Sequence, residues 1–215
     1  MSSSASQVTR SIRDAVTAIG NTEEVYASLE DGADLPNAFH EVAKALPTAQ
    51  EALTSIKSYI SKNKPKPGPE NEDDKSVAKK EKEAAEKVQT RAEKLYNIFD
   101  AVIPPGDGPR VARYRSAASK GGRVEVLMKE ILDGILVIAK PPAVTQDQVN
   151  SLKDALQAVS KIPPSLDDEA ANSFNNYGTG PQSIHLGHGD QNINTGSGMM
   201  FNGKFMAPFH LPKSQ

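Results

Sequence analysis

The chain contains no cysteine and no tryptophan, and aromatic residues fill 5% of its 215 positions. Without cysteine there is no disulfide framework, thiolate zinc site or cysteine nucleophile, and a reducing, cytoplasmic setting is the expectation. Charge of one sign is missing as well. Lys and Arg total 25 and Asp and Glu 27, a formal net charge of -2, so no global field draws the protein to nucleic acid. No window approaches the roughly 18–20 consecutive apolar residues of a membrane span. The first twenty residues, interrupted by Arg10, Arg13 and Asp14, lack the apolar core of a signal peptide. A protein soluble at rest is therefore expected, with membrane contact reserved for an activated state.

What is present divides unevenly. Seven of the 15 glycines lie between Gly178 and Lys204, where Asp190 and Lys204 are the only charged residues, whereas up to Ser165 there are 23 acidic and 23 basic residues. Residues 1–165 have helical periodicity almost throughout. Val8, Ile12, Ala15, Val16 and Ile19 share one helix face, and Val25, Tyr26 and Leu29 resume it beyond Gly20, predicting a first helix that breaks or bends at that glycine. A second helix opens at Leu35-Pro36 and carries Phe39, Val42, Leu46, Leu53, Ile56 and Ile60, with Pro47 expected to kink it. Residues 63–74, NKPKPGPENEDD, read as an exposed linker. The third helix is predicted over 77–102, and a short fourth starts after Asp107-Gly108-Pro109 and reaches Tyr114. A strongly apolar fifth runs from Val124 to Ile138, between Gly121-Gly122 and Pro141-Pro142. Thr145 and Gln148 form a capping-box pair that opens the sixth. Ile162-Pro163-Pro164 closes an all-α bundle of five to seven helices, and residues 166–215 form a tail.

Aligned on its glycines, the tail falls into three consecutive nine-residue units: GTGPQSIHL from Gly178, GHGDQNINT from Gly187 and GSGMMFNGK from Gly196. Each opens Gly-x-Gly (Gly178 and Gly180, Gly187 and Gly189, Gly196 and Gly198). Gln182 and Gln191 share the fifth place, Ile184 and Ile193 the seventh, and Asn192 and Asn194 flank Ile193. In the third unit Met200 replaces Gln and Asn202 replaces Ile, with Phe201 between them. Glycine turns, amide side chains and near-absence of charge suit stacked β-arcs, in which Gln and Asn ladders run along a repeat of about 4.7 Å. One copy buries too little surface to fold, so the tail is expected to be disordered alone and to order by adding to a like segment as β-amyloid.

Other motifs carry less. Residues 198–204 match the GxxxxGK phosphate-loop spacing, but Phe205 occupies the Ser/Thr place needed for Mg²⁺. His185, His188 and Asp190 lie on a glycine-rich segment without the rigid scaffold a metal site needs. Lys79, Lys80 and Lys82, alternating with Glu81 and Glu83, read as a solvated helix face. The Val124 to Ile138 stripe reads as core rather than as a membrane-inserting surface. No Ser/His/Asp set or carboxylate pair stands out, so no catalytic residue, cofactor or metal is expected, and the protein is expected not to be an enzyme.

The tail segment YGTGPQSIHLGHGDQNINTGSG (residues 177–198) resembles the sigma-type prion-forming motif of filamentous fungi. The segments VYASLEDGADLPNAFHEVAKALP, KLYNIFDAVIPPGDGPRVARYRSA, GGRVEVLMKEILDGILVIA and IPPSL resemble the fungal SesA domain that precedes it. The resemblance implies signalling rather than catalysis. A receptor of the NACHT or NB-ARC class, or a lipase-like partner, carries a matching motif and templates the tail, and the helical domain then acts as effector or adaptor in incompatibility-type cell death. Two alternatives stay open: a membrane-permeabilising death effector, and a non-toxic regulator that titrates the receptor.

Overall fold

The computed structural model describes residues 3–63 and 72–166. Over these the chain is all-α, with six helices: α1 Ser3–Ala27, α2 Asn37–Lys62, α3 Glu72–Val102, α4 Arg110–Gly121, α5 Val124–Ile138 and α6 Gln146–Ser160. No strand occurs among the described residues. Helices α2 and α3 each pack against both α1 and α5, so these four close a ring. Helix α6 covers the seam between α2 and α5, and α4 rests on α3.

The packing follows from apolar side chains repeating at two-turn spacing. Phe39, Leu46 and Leu53 of α2 and Val88, Leu95 and Val102 of α3 are each no more than 1% exposed. Helix α5 buries Val124, Leu127, Met128, Ile131, Leu132, Ile135 and Ile138 against neighbours on several sides, which explains why so much of its circumference is apolar. The expected core stripe is therefore core. Four of the six Phe and Tyr rings among the described residues cluster: Phe39 lies 4.9 Å from Phe99 and 4.8 Å from Tyr114, the latter edge-on, and Tyr26 leans on Phe99 at 6.2 Å. Such offset and edge contacts add to area burial.

Helix boundaries agree with the sequence reading where local chemistry sets them. Helix α5 begins after Gly122, whose φ of +98° is open to glycine and disfavours a side chain. Helix α6 has Thr145 as its N-cap, with both hydrogen bonds of the capping box in place. Three expectations need correction. Helix α1 runs unbroken through Gly20, because that glycine is a close-packing position: a Cβ there would sit 3.1 Å from Nε2 of Gln50 on α2. Helix α3 begins at Glu72, inside the segment read as linker, since beyond Pro69 no residue forbids helix. Helix α4 extends past Tyr114 to Gly121. Pro47 lies within α2, which stays helical to Lys62.

Candidate functional site

The residues predicted to act through self-assembly, from Gly178 to Asn202, lie outside the described residues, as do His185, His188 and the phosphate-loop-like stretch. What the structure places is the polar machinery of the bundle, part of which lies where the described chain ends.

At that end residues 162–166 fold back as a strap. The Val124 N–H donates to the Tyr114 hydroxyl at 3.1 Å, and the Tyr114 hydroxyl meets Ser165 Oγ at 2.5 Å. Ser165 Oγ donates to Glu125 Oε2 at 2.6 Å, and the Ser165 N–H donates to Glu125 Oε1 at 3.0 Å. With the Ser165 proton directed at Glu125, the Tyr114 proton must point to Ser165. The donors then run in one direction, from Val124 through Tyr114 and Ser165 to the carboxylate. Glu125 is 6% exposed, a costly place for a carboxylate without partners. It has Ser165, Arg123 Nε at 3.4 Å, and the positive end of the α5 macrodipole, since it stands in that helix's first turn. Arg123 also donates to the Leu166 carbonyl at 3.3 Å, and Ile162 and Leu166 pack on the core. Burial pushes the Tyr114 hydroxyl pKa above its usual value, and the Glu125 charge adds to the rise against the hydrogen bonds and Arg123.

The arginines of α4 do comparable structural work. Arg113 donates to the Ala101 and Pro104 carbonyls at 3.1 and 2.7 Å, satisfying acceptors left open where α3 ends. Arg110 joins Asp34 and the Asp31 carbonyl at 2.5 Å each, tying the α1–α2 connection to α4. Tyr26 and His40 share a 2.6 Å hydrogen bond between α1 and α2. Lys79 and Lys82 face Glu83 and Glu86 one turn on, at 3.9 and 3.8 Å, and Lys140 reaches Glu81 at 2.6 Å, which makes this surface the solvated charged face expected of it.

Two hydroxyls lie against a base, Ser165 Oγ against the Glu125 carboxylate and the Tyr26 hydroxyl against His40 Nδ1. Asp14, Thr17, Ala18, Asn21, Glu93 and Tyr96 line a shallow depression of about 290 Å³ between α1 and α3, where Asp14 is already paired with Arg10 and Arg13. Among the described residues no group of three His, Cys, Asp or Glu is placed to hold a metal ion, and no helix is long and apolar enough to cross a membrane. The Tyr114, Glu125 and Ser165 cluster was missed in the sequence. Its members lie far apart along the chain, and the one local hint is a serine just after a Pro-Pro stop.

Comparison with known proteins gives two family matches. A SesA model, described as the N-terminal domain on NACHT NTPases and P-loop NTPases, matches residues 12–138, which takes in α1 from Ile12 through the whole of α5. A second model, the sigma domain on NACHT-NTPases, matches residues 171–211 and contains all three nine-residue units. Neither the curated proteins nor the solved structures yield a significant match. Both matched domains are ones found on NACHT NTPases, which links the chain to NACHT-associated signalling. With the first match spanning more than half of its length, the chain belongs to the SesA family.

Proposed function

We propose that this protein is a non-enzymatic effector or adaptor in NACHT-associated cell-death signalling, activated when its C-terminal segment is templated into amyloid by a matching segment on a NACHT or NB-ARC receptor. The observation that carries the proposal is the joint occurrence of two NACHT-associated domains in one chain, the second holding a three-fold Gly-x-Gly repeat with Gln182 and Gln191 in register. Stacked amide ladders require identical side chains at identical places, and a nine-residue register supplies them. In this scheme the receptor provides nucleotide-dependent oligomerisation, and the present chain provides the segment that copies the template and the helical domain that responds.

The test is seeding of the purified full-length chain with preformed fibres of a peptide covering residues 178–204. Seeds should abolish the lag before thioflavin fluorescence rises, and the double variant Gln182→Ala, Gln191→Ala should lengthen it. A full-length chain that stays soluble at every seed concentration would rule the proposal out.

A further inference from the structure

We propose that Ser165 is a phosphorylation site for an acidophilic Ser/Thr protein kinase, and that its modification unlatches the strap of residues 162–166 from the bundle.

Two independent features meet at this residue. The first is sequence chemistry: Asp167, Asp168 and Glu169 follow at the second, third and fourth places after Ser165, the one run of three consecutive carboxylates just beyond a serine in the chain. A basic substrate groove selects acidic side chains at such positions by charge complementarity. The second is structural. Ser165 is half-buried on an irregular strap, beside the exposed Pro163 and Pro164, so local opening of a few residues presents it. Its hydroxyl is the middle link of the donor chain that ends on Glu125.

In the transfer, Ser165 Oγ attacks the γ-phosphorus of ATP. The Oγ–P bond forms and the bond from that phosphorus to the bridging oxygen of the β-phosphate breaks. ADP leaves, and the hydroxyl proton passes through the kinase base to solvent. The product carries about -1.5 to -2 charges at neutral pH and has no Oγ–H left to donate. Glu125 Oε2, 2.6 Å from that oxygen, thus exchanges a hydrogen-bond donor for a like charge at a residue that is 6% exposed. Arg123 already serves Glu125 and the Leu166 carbonyl, and one guanidinium does not balance a carboxylate and a phosphate dianion. The strap therefore leaves the bundle, and the Tyr114 hydroxyl loses its acceptor.

The experiment treats the full-length protein with a purified acidophilic kinase and ATP, maps phosphosites by mass spectrometry, and then measures trypsin cleavage after Lys161 and thermal unfolding. The expected result is modification of Ser165, lost in Ser165→Ala and strongly reduced when Asp167, Asp168 and Glu169 are neutralised to Asn, Asn and Gln. Cleavage after Lys161 should accelerate about tenfold. Tm should fall by about 4–8 °C with helicity at low temperature retained. An unmodified Ser165, or a phosphate there that leaves cleavage and Tm unchanged or raises Tm, would overturn the inference. Both readouts concern the bundle alone, so they stand or fall independently of whether the tail assembles.

Discussion

Gly134 stands in the middle of α5, where helix propensity alone makes Ala the better residue by about 0.5–1 kcal/mol. Packing reverses that preference. A Cβ at Gly134 would lie 2.5 Å from Cγ2 of Val88 on α3, and Val88 is β-branched and fully buried, so it has no free rotamer to retreat into. Gly134→Ala should therefore destabilise the bundle by about 1–3 kcal/mol, read from its urea midpoint, and Val88→Ala in the same background should recover part of the loss. A stabilising Gly134→Ala would mean that α3 and α5 do not approach so closely. At the strap, Tyr114→Phe removes one hydroxyl from the donor chain and should cost about 1–2 kcal/mol at neutral pH. Its pH dependence has a definite sign. Burial raises the Tyr114 pKa above the ordinary value of 10.0, so the folded state holds the proton more tightly than the unfolded state. That contribution is fully present below pH 10 and is lost as pH climbs through the raised value. The stability gap between wild type and Tyr114→Phe should consequently narrow between pH 9.5 and about pH 11. A constant gap across that range would show that the hydroxyl is not held neutral by the fold.

Among the helices, α6 has the most explicit start signal, and its cap also serves a second purpose. Gln148 closes the box on the Thr145 N–H at 3.0 Å, while its Nε2 donates to Glu51 Oε1 and Ser55 Oγ on α2, both at 3.0 Å. Thr145→Ala should cost about 1 kcal/mol in chemical denaturation. Gln148→Glu keeps the capping oxygen and adds an acid that a helix N-terminus ordinarily favours, yet it sets a carboxylate against Glu51. It should destabilise by about 0.5–1 kcal/mol, with the deficit shrinking as salt is added. A neutral or stabilising Gln148→Glu would show that α6 is not anchored to α2 through this side chain. Elements punctuated by local chemistry were legible to the residue: α5 between Gly-Gly and Pro-Pro, α6 after Thr-x-x-Gln. Elements whose limits depend on neighbours were not. Gly20 looks like a break until α2 is placed against it, and α4 looks short because most of its residues are polar and its arginines spend themselves on carbonyls of the preceding turns.

For the whole molecule, the divide in glycine and charge found in the sequence separates two kinds of matter. Up to Ser165 the chain has the composition of a packed domain, and the SesA match falls wholly within it. Beyond lies the nearly uncharged repeat, inside the sigma match. The repeat was legible because a fixed period needs no tertiary context, whereas the cluster at the strap was not, because Tyr114, Glu125 and Ser165 form it only after α4, α5 and the strap have been assembled. In the proposed scheme the two parts are separable in stability and coupled in function. Substituting both Gln182 and Gln191 with Ala should therefore leave the bundle's urea midpoint unchanged while slowing assembly. A shifted midpoint would mean that the tail contributes to folding. Templating is tested most directly in a fungal cell expressing the full-length chain fused to a fluorescent protein, with and without a second protein that presents an assembled copy of residues 171–211. Fluorescence should be diffuse without the template and convert to heritable foci with it, delayed by the double glutamine substitution. Fluorescence that stays diffuse in the presence of the matching template would contradict templating.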